Sequence, residues 1–266
     1  MVDIQSRQNA KIKEIRSLRQ RKQRKAKKLF IVEGIRHIGE ALDANANIEY
    51  VLAAPELLKS DYANSLLAKI EEKGISLFTT TPEILVSLSE KENPQGLLAV
   101  ANQLIYSLED FSSDQHPWLV ALISPQDPGN IGTILRTIDA VGADGLILID
   151  NSVDIFHPSA VRASMGALFW KPVISASIEE FTSWSSQNKY VIYGTSAKGK
   201  TLFNQVVYRS PAILLFGSER EGLSDDQINF CDHLLKLPMA GSASSLNLSV
   251  SSGVFLYEMH AQFNPE

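Results

Sequence analysis

The stretch WLVALISPQDPGNIGTILR, residues 118–136, joins a continuous apolar run to an amphipathic pattern. The uninterrupted apolar run from Trp118 to Ile123 is typical of a strand that is covered on both faces of a parallel sheet. After Asn130 the apolar residues recur at helical spacing until Gly142, so the sequence predicts a helix that Asn130 caps and Gly142 ends. A buried strand that leads into such a helix is the repeating unit of α/β folds.

Strands and helices alternate in the same way along the rest of the chain. The further strands that the pattern predicts are 29–34, 48–53, 75–79, 96–101, 145–149, 190–193, 212–216 and 234–237. The further helices that it predicts are one from about residue 9 and those at 35–42, 61–72, 82–89, 158–168, 178–187, 224–231 and 246–261. The polar residues 107–117 favour a linker. We therefore expect two domains, residues 1–106 and 118–266.

Composition narrows the class of protein. The chain has 266 residues, of which 44% are hydrophobic and 21% are charged, and this composition is typical of a globular protein. No apolar run reaches the length of a membrane span or of a signal-peptide core, so we expect a cytoplasmic protein. The single cysteine, Cys231, excludes an internal disulfide, and the five histidines form no zinc spacing with it. We expect no bound metal.

Charge is distributed unevenly along the chain. The net charge is −5, yet residues 1–28 hold eleven Lys and Arg against Asp3 and Glu14. A basic arm on an otherwise acidic chain is the pattern expected when one end meets a polyanion. The alternative is a solvated helix face, which charge alone leaves open.

One motif suggests a different function. Residues 194–201, GTSAKGKT, match the phosphate-binding loop G-x-x-x-x-G-K-S/T and follow a predicted strand. The helix that should begin at Lys200 is poor, because Val206 to Tyr208 favour strands and Pro211 closes the segment. We interpret the match as a surface turn. No G-x-G-x-x-G follows a strand, so the usual dinucleotide site is not indicated either.

Three stretches carry more small and polar residues than packing requires: 127–136, 214–223 and 237–250. There the sequence resembles the SpoU (TrmH) branch of the SPOUT RNA methyltransferases, whose three motifs occur in this order. Residues 161–167 are also usual in that family. Residues 5–101, which open with Ser6-x-x-Asn9-x-Lys11, resemble its RNA-binding domain, similar to ribosomal proteins that bind kink-turns.

The resemblance implies an α/β fold with two parts. The C-terminal part would be a parallel sheet closed by a deep trefoil knot, and the N-terminal part a smaller α/β RNA-binding domain. It implies S-adenosylmethionine as cofactor, structured RNA as substrate, transfer of a methyl group to a ribose 2′-hydroxyl, and a homodimer packed through the first-motif and last helices. Ribosomal RNA is favoured over transfer RNA, because the accessory domain resembles ribosomal proteins.

The resemblance also assigns site residues. The positions that would contact the cofactor are Gly217, Leu237, Leu246, Thr195 and Met239. The polar active-site positions are Asn130, Arg136, Glu219, Ser245 and Asn247. The RNA contacts that we expect are Asn9, Lys11, Lys13, Arg19, Lys22, Arg24 and Arg162.

We expect Arg136 to grip the phosphate beside the target ribose, because a guanidinium stays protonated and can bind a phosphate through two hydrogen bonds. Asn130 would orient that ribose and Glu219 would hold one of these two residues, with water as the proton acceptor. Each residue also has a structural alternative. Asn130, Ser245 and Asn247 could cap helices, Arg136 could be a surface arginine and Glu219 a solvated turn acid.

The sequence departs from the family at two places. Gly241-Ser242-Ala243-Ser244 replaces a stretch that more often holds two glycines and an acid, and Ser251-Ser252-Gly253 replaces an alanine-rich part of the helix. These changes leave the choice of substrate open more than the activity, because Ser245-Leu246-Asn247 is intact. A transfer RNA methyltransferase, a non-catalytic RNA-binding module and a phosphate-loop nucleotidase remain as alternative functions.

Overall fold

The computed structural model describes residues 2–90 and 93–264. The chain divides into two compact units. The N-terminal unit comprises Met1–Leu104 and Phe156–Phe169, and the C-terminal unit comprises Ile105–Ile155 and Trp170–Glu266. Each unit contains one β-sheet.

The N-terminal unit contains a mixed sheet of five strands. They are β1 (Val2–Ile4), β2 (Leu29–Glu33), β3 (Ile48–Ala53), β4 (Ser76–Thr80) and β5 (Leu97–Asn102), in the spatial order β1-β4-β3-β5-β2. Strand β5 is antiparallel to β2 and β3, and the other neighbours are parallel. The helices are α1 (Ala10–Ser17), α2 (Arg21–Lys27), α3 (Ile35–Asp43), α4 (Asp61–Glu72) and α5 (Pro82–Leu88). The predicted elements are confirmed, whereas β1 was not predicted because three residues are too few to show an alternation.

The basic arm folds into the N-terminal unit as two short helices. The side chain of Asn9 caps α1 by accepting a hydrogen bond from the Lys11 amide at 2.9 Å. Ile12, Ile15 and Leu18 are fully buried against the sheet. The helix predicted from about Asn9 is therefore confirmed, but the chain turns after Leu18 and starts a second helix.

The C-terminal unit contains a wholly parallel sheet of seven strands. They are β6 (Trp118–Ile123), β7 (Gly145–Ile149), β8 (Val173–Ala176), β9 (Val191–Thr195), β10 (Thr201–Leu202), β11 (Ala212–Phe216) and β12 (His233–Lys236), in the order β10-β12-β9-β11-β6-β7-β8. The helices are α6 (Pro128–Val141), α8 (Ile178–Gln187), α9 (Asp225–Asn229) and α10 (Leu248–Phe263), while α7 (Pro158–Ala163) lies in the N-terminal unit. The expected α/β fold with a parallel sheet is confirmed. Strands β8 and β10 were missed, both being short.

The sheet register decides where a ligand can bind. Strand β11 is central and pairs with β6 on one side and β9 on the other, so that Phe216 lies beside Leu122 and Thr195. The carboxyl ends of these three strands consequently meet at one edge. In open parallel sheets that edge carries the ligand site.

The domain boundaries differ from the sequence-based expectation at two places. Residues 107–117 belong to the C-terminal unit instead of forming a linker. Phe111 is 4% exposed, belongs to the core of that unit and stacks on His116 with ring centroids 4.4 Å apart. Leu108 and Phe111 attach this segment to the core, and the mostly polar residues around them led the sequence to be interpreted as a linker.

Segment 156–169 was expected in the C-terminal domain, but it belongs to the N-terminal unit. The rings of Phe156 and Phe169 lie 4.9 and 6.2 Å from the ring of Phe30 in β2. This aromatic contact is non-local, so sequence periodicity could not reveal it.

The described residues show neither a helix that could span a membrane nor a cluster that could hold a metal ion. In that part of the chain no helix has both the length and the apolar character for crossing a bilayer. The same residues contain no group of three or more His, Cys, Asp or Glu side chains placed to hold a metal ion. Cys231 is free and half-buried, and burial raises the pKa of its thiol to about 12.

Candidate active site

A cavity of about 780 Å³ lies at the carboxyl edge of the C-terminal sheet. It is lined by residues 195–198 at the end of β9, by residues 216–223 at the end of β11, and by several residues of the segment 235–255 that leads from β12 into α10, with Asp127 and Asn130 beside them. Its size suits an organic cofactor. The lining includes all five residues that were expected to contact the cofactor, Thr195, Gly217, Leu237, Met239 and Leu246.

Gly217 shapes the floor of this cavity. A Cβ atom on Gly217 would lie 2.1 Å from the carbonyl carbon of Gly222, a distance that real structures do not tolerate. The contact arises because residues 218–222 double back, with the amides of Ser218 and Gly222 donating to each other's carbonyls at 3.1 and 3.0 Å. Gly222 has a positive φ of 70°, which glycine adopts without strain.

The N-terminus of α6 differs from the sequence-based expectation. Asp127 caps the helix, because its Oδ1 accepts hydrogen bonds from the amides of Gly129 at 2.6 Å and Asn130 at 3.2 Å. Asn130 was expected to be the cap, and that expectation was wrong. Pro128 occupies the first helical position, where its fixed φ suits the helix and its missing N–H costs nothing. The Asn130 side chain is consequently free for another role.

Asn130 instead joins the three motifs. Its Nδ2 donates to Glu219 Oε1 at 2.8 Å, and its Oδ1 accepts from Asn247 Nδ2 at 3.1 Å. The other oxygen of Glu219 accepts from the Gln126 amide at 3.1 Å. We call the chain of contacts from Gln126 through Glu219 and Asn130 to Asn247 the polar network. It brings together residues from all three motifs at the rim of the cavity.

Asn247 has both of the roles that sequence reasoning weighed against each other. It caps α10, with Oδ1 accepting from the amide of Ser249 at 2.8 Å and from its hydroxyl at 2.6 Å. Its Nδ2 reaches across to Asn130. Ser245, two residues earlier, lines the cavity. Capping and site geometry therefore depend on the same side chain.

Arg136 is the one predicted polar residue outside this group. It lies on α6, six residues beyond Asn130, which is less than two turns and about 9 Å further along the helix axis. Its side chain is exposed, does not line the cavity, and makes no hydrogen bond or ion pair with any residue that the structure describes. The cavity of a single chain thus contains Asn130, Glu219, Ser245 and Asn247 without Arg136.

The phosphate-loop match has a packing explanation. A Cβ on Gly194 would lie 2.5 Å from the sulfur of Cys231, and one on Gly199 would lie 2.9 Å from the carbonyl oxygen of Leu234. Thr201, the last residue of the match, and Leu202 form the short strand β10, where a phosphate loop requires a helix. Lys198 of this turn lines the cavity and donates to Asp225 at 2.8 Å. Sequence reasoning missed Lys198 as a site residue.

The residues expected to bind RNA fall into three groups. Arg24 contradicts the expectation: it is 1% exposed, and its Nη1 donates to the carbonyls of Leu18 and Arg19 at 2.8 and 2.7 Å. It stabilises the corner between α1 and α2. Of the seven expected RNA contacts, only Lys13 and Lys22 are exposed cations without a partner among the described residues.

The remaining expected RNA contacts are partly engaged within the N-terminal unit. Lys11 Nζ lies 3.8 Å from the ring centroid of Tyr50. Arg19 Nη2 donates to the carbonyl of Leu88 at 3.0 Å. Arg162 forms an ion pair with Glu90 at 3.1 Å. Asn9, as described above, is a helix cap.

A carboxylate neutralises part of the arm. Glu14 accepts hydrogen bonds from Lys27 Nζ at 2.7 Å and from the Tyr50 hydroxyl at 2.9 Å. Burial acts to raise the pKa of Glu14, but the hydrogen bonds from Lys27 and Tyr50 outweigh it and hold that pKa below its usual value. Lys27 is therefore paired with Glu14, and the formal charge of the arm overstates the number of cations that are available to contact RNA phosphates.

Two family models match the chain. One, described as the SpoU rRNA Methylase family, covers residues 117–257, and the other, described as an MRM3-like substrate binding domain, covers residues 9–99. The 23S rRNA (uridine(2479)-2′-O)-methyltransferase of Streptomyces viridochromogenes is 33% identical over 86% of this chain and 81% of its own length. The 23S rRNA (guanosine(2553)-2′-O)-methyltransferase RlmP of Bacillus subtilis is 26% identical over 97% and 99%.

A solved structure is similar over nearly the whole chain. It is the AdoMet-bound rRNA methyltransferase from Sinorhizobium meliloti, with a TM-score of 0.89 and 30% identity, and the alignment covers 99% of this chain and 98% of that one.

Proposed function

The chain belongs to the SpoU rRNA methylase family, and we propose that it transfers a methyl group from S-adenosylmethionine to a ribose 2′-hydroxyl of ribosomal RNA. The observation that carries this proposal is the polar network. Residues from three separate motifs meet through hydrogen bonds of 2.8 to 3.1 Å beside one cavity. A module that only binds RNA needs no such arrangement at the edge of its sheet.

The residues of the cavity fit S-adenosylmethionine. Its volume of about 780 Å³ leaves room for such a molecule beside the polar network. The bare backbone at Gly217 permits close approach of main-chain groups, and Leu237 and Leu246 offer apolar surface to an adenine ring. When bound, the cofactor supplies a methyl group on a sulfonium, which is already strongly electrophilic. The protein has mainly to align the acceptor oxygen.

The polar network can perform that alignment. Asn130 and Asn247 each use one amide hydrogen within the network, so each retains a second donor for the target ribose. Glu219 accepts with both oxygens and fixes the orientation of the Asn130 amide. Holding the 2′-oxygen in a reactive position lowers the entropy cost of the reaction. Water takes the proton.

Arg136 requires a second copy of the chain to reach a site. The outer face of α10 exposes Val250, Val254 and Tyr257, which lie three and four residues apart and therefore on one face. The opposite face packs in the core through Phe255, Leu256 and Met259, which are buried. An exposed apolar stripe beside a site that lacks its arginine supports a homodimer in which Arg136 of the partner subunit grips the RNA phosphate.

The trefoil knot also belongs to the proposal. After β11 the chain crosses β9 to form β12, and the following segment returns to line the same cavity before α10. This path and the family likeness support a knotted cofactor site. Knots are rare in proteins, so strand order alone would not justify one.

The N-terminal unit would bind the RNA. The match of residues 9–99 to a substrate-binding domain and the exposed cations of the arm support this role. Both relatives described above act on 23S ribosomal RNA, which favours ribosomal over transfer RNA. We place the protein in the cytoplasm with that RNA.

Binding measurements would test the proposal. Calorimetric titration should give binding of S-adenosylmethionine and none of ATP, and the labelled methyl group should then appear on a ribose of a ribosomal RNA fragment. Binding of ATP without S-adenosylmethionine would overturn the proposal and revive the phosphate-loop interpretation. A label on a base instead of a ribose would overturn the proposed acceptor.

A further inference from the structure

The loops after β6 and β7 adopt backbone conformations that are uncommon for their residues. Ser124, directly after β6, has φ of 46°, and Asp150, directly after β7, has φ of 58°. Residues with side chains rarely adopt this left-handed region, and they remain there when the surroundings hold them. Both loops lie at the edge of the sheet that carries the cavity.

Gln126 links these two loops. Its Nε2 donates to the carbonyl of Ser124 at 2.9 Å and to the carbonyl of Asn151 at 3.2 Å. These two contacts use both hydrogens of the amide. No acidic or aliphatic side chain of similar size could bridge two carbonyl oxygens in this way.

The backbone of the same residue holds the polar network. The Gln126 amide donates to Glu219 Oε2 at 3.1 Å, and Glu219 in turn orients Asn130. The side chain of Gln126 fixes the loop in which this amide lies. It does so from outside the cavity, because Gln126 is not among the residues that line it.

We propose that Gln126 is a positioning residue for methyl transfer. Its carboxamide joins the loops that follow β6 and β7, so that its own peptide N–H holds Glu219 in place. The inference rests on the proposed function of the site. It adds a residue that sequence reasoning did not single out, although Gln126 directly precedes the cap Asp127. The group acts through Glu219 and touches neither the cofactor cavity nor Asn130.

Two substitutions test this role by a single-turnover assay with S-adenosylmethionine and ribosomal RNA. Gln126→Ala should lower the rate about tenfold while the cofactor affinity stays within about twofold, since Gln126 does not itself line the cavity and none of the five expected cofactor contacts is replaced. Gln126→Glu places a carboxylate against two carbonyl oxygens, so it should be slower than Gln126→Ala at neutral pH. Its rate relative to wild type should rise as the pH falls, because the protonated acid can donate again.

A matched control is Gln187→Glu, which replaces an exposed glutamine of α8 whose amide, within the part of the chain that the structure describes, donates only to the Ser183 hydroxyl. Its pH profile should follow wild type. A Gln126→Glu profile that also follows wild type would overturn the proposal.

A double-mutant cycle separates positioning from a general loss of stability. If Gln126 acts through Glu219, then Gln126→Ala should cost less than about twofold in a Glu219→Ala background. A full tenfold loss in that background would overturn the inference. Absence of methyl transfer by the wild-type protein would instead overturn the proposed function, so the two failures are distinguishable.

Discussion

The rim of the cavity and the basic arm use their polar residues in opposite ways. At the rim, residues as far apart in sequence as Gln126 and Asn247 converge into one hydrogen-bonded network. In the arm, cations that are close in sequence have different environments: Arg24 is buried, Lys27 pairs with Glu14, and Lys22 faces solvent. Motif spacing therefore identifies residues that act together, whereas a count of charges does not.

Arg136 gives the largest expected effect, because it is the predicted site residue that stands apart from the network. We expect Arg136→Ala to lower the rate of methyl transfer by roughly 10²–10³-fold, since a charge that grips phosphate in the transition state is lost. The affinity for S-adenosylmethionine should stay within a few-fold. Rates and calorimetric affinities of the two proteins check this prediction.

Lys200→Ala is the control for Arg136, because Lys200 belongs to the phosphate-loop match and does not line the cavity. It should be almost silent in both assays. Loss of cofactor binding in Arg136→Ala would place this arginine in the cofactor site.

Gly217→Ala should act on the cofactor instead of the RNA. The added Cβ meets the Gly222 backbone at 2.1 Å, so the turn must shift and the cavity floor with it. We expect the affinity for S-adenosylmethionine to fall on the order of 100-fold, because the extra methyl group is forced into a tightly packed turn that lines the cavity. Gly241→Ala is the matched control, since nothing lies within 4 Å of its Cβ position. Equal affinities for the two variants would contradict the assigned cavity floor.

Local patterns predicted most of the fold. Strand β6, whose six residues are all buried, and helix α8 begin and end at the predicted residues. Short strands and non-local contacts were missed: β8 has four residues, and the Phe30 contacts of segment 156–169 join distant parts of the chain. Their stabilisation comes from tertiary packing, which periodicity does not record.

The resemblance predicted which residues lie at the site, but not the hydrogen bonds that connect them. Four of the five polar positions lie at one cavity, while the roles as cofactor or RNA contacts stay predictions. Asn130 was misjudged as a cap because Pro128 moves the helix start back to Asp127. The role of Gln126 depends on two carbonyl oxygens whose positions only the fold defines.

The arm should contribute a smaller, salt-dependent effect. Lys22 and Lys25 are exposed on α2, so replacing both with alanine should weaken RNA binding and reduce the salt slope by about one unit per lost phosphate contact. Arg24→Met is the control: it should lower the melting temperature and leave the slope unchanged, because Arg24 is buried. RNA titrations across a salt series check both. Identical slopes for the lysine variant and wild type would make the arm a solvated helix face.

Deletion of residues 1–28 would be a poorer test of the arm than point substitutions. The deletion would remove Ile12, Ile15 and Leu18 from the core of the N-terminal unit together with strand β1. Point substitutions on α2 avoid that damage.

The smallest expected effect concerns pH. The pKa of Glu14 is depressed in the folded chain, so its contacts stabilise the protein above the ordinary carboxyl pKa and lose that contribution as pH falls through the lowered value. Lys27→Ala should therefore lower the free energy of unfolding at pH 7 by less than about 1 kcal/mol, since solvent screens the partly exposed pair. The difference from wild type should vanish in acid. A difference that grew as the pH fell would contradict the assignment.

The central claim is tested most directly by mapping 2′-O-methyl groups in ribosomal RNA from cells with and without this protein, followed by treatment of the unmethylated RNA with purified enzyme and S-adenosylmethionine. We expect one ribose position to lose its methyl group in the cells that lack the protein and to regain it in the test tube. Addition of Arg136→Ala in place of wild type should leave that position unmethylated. Identical ribosomal maps with and without the protein, or a lost methyl group found in transfer RNA instead, would contradict the account.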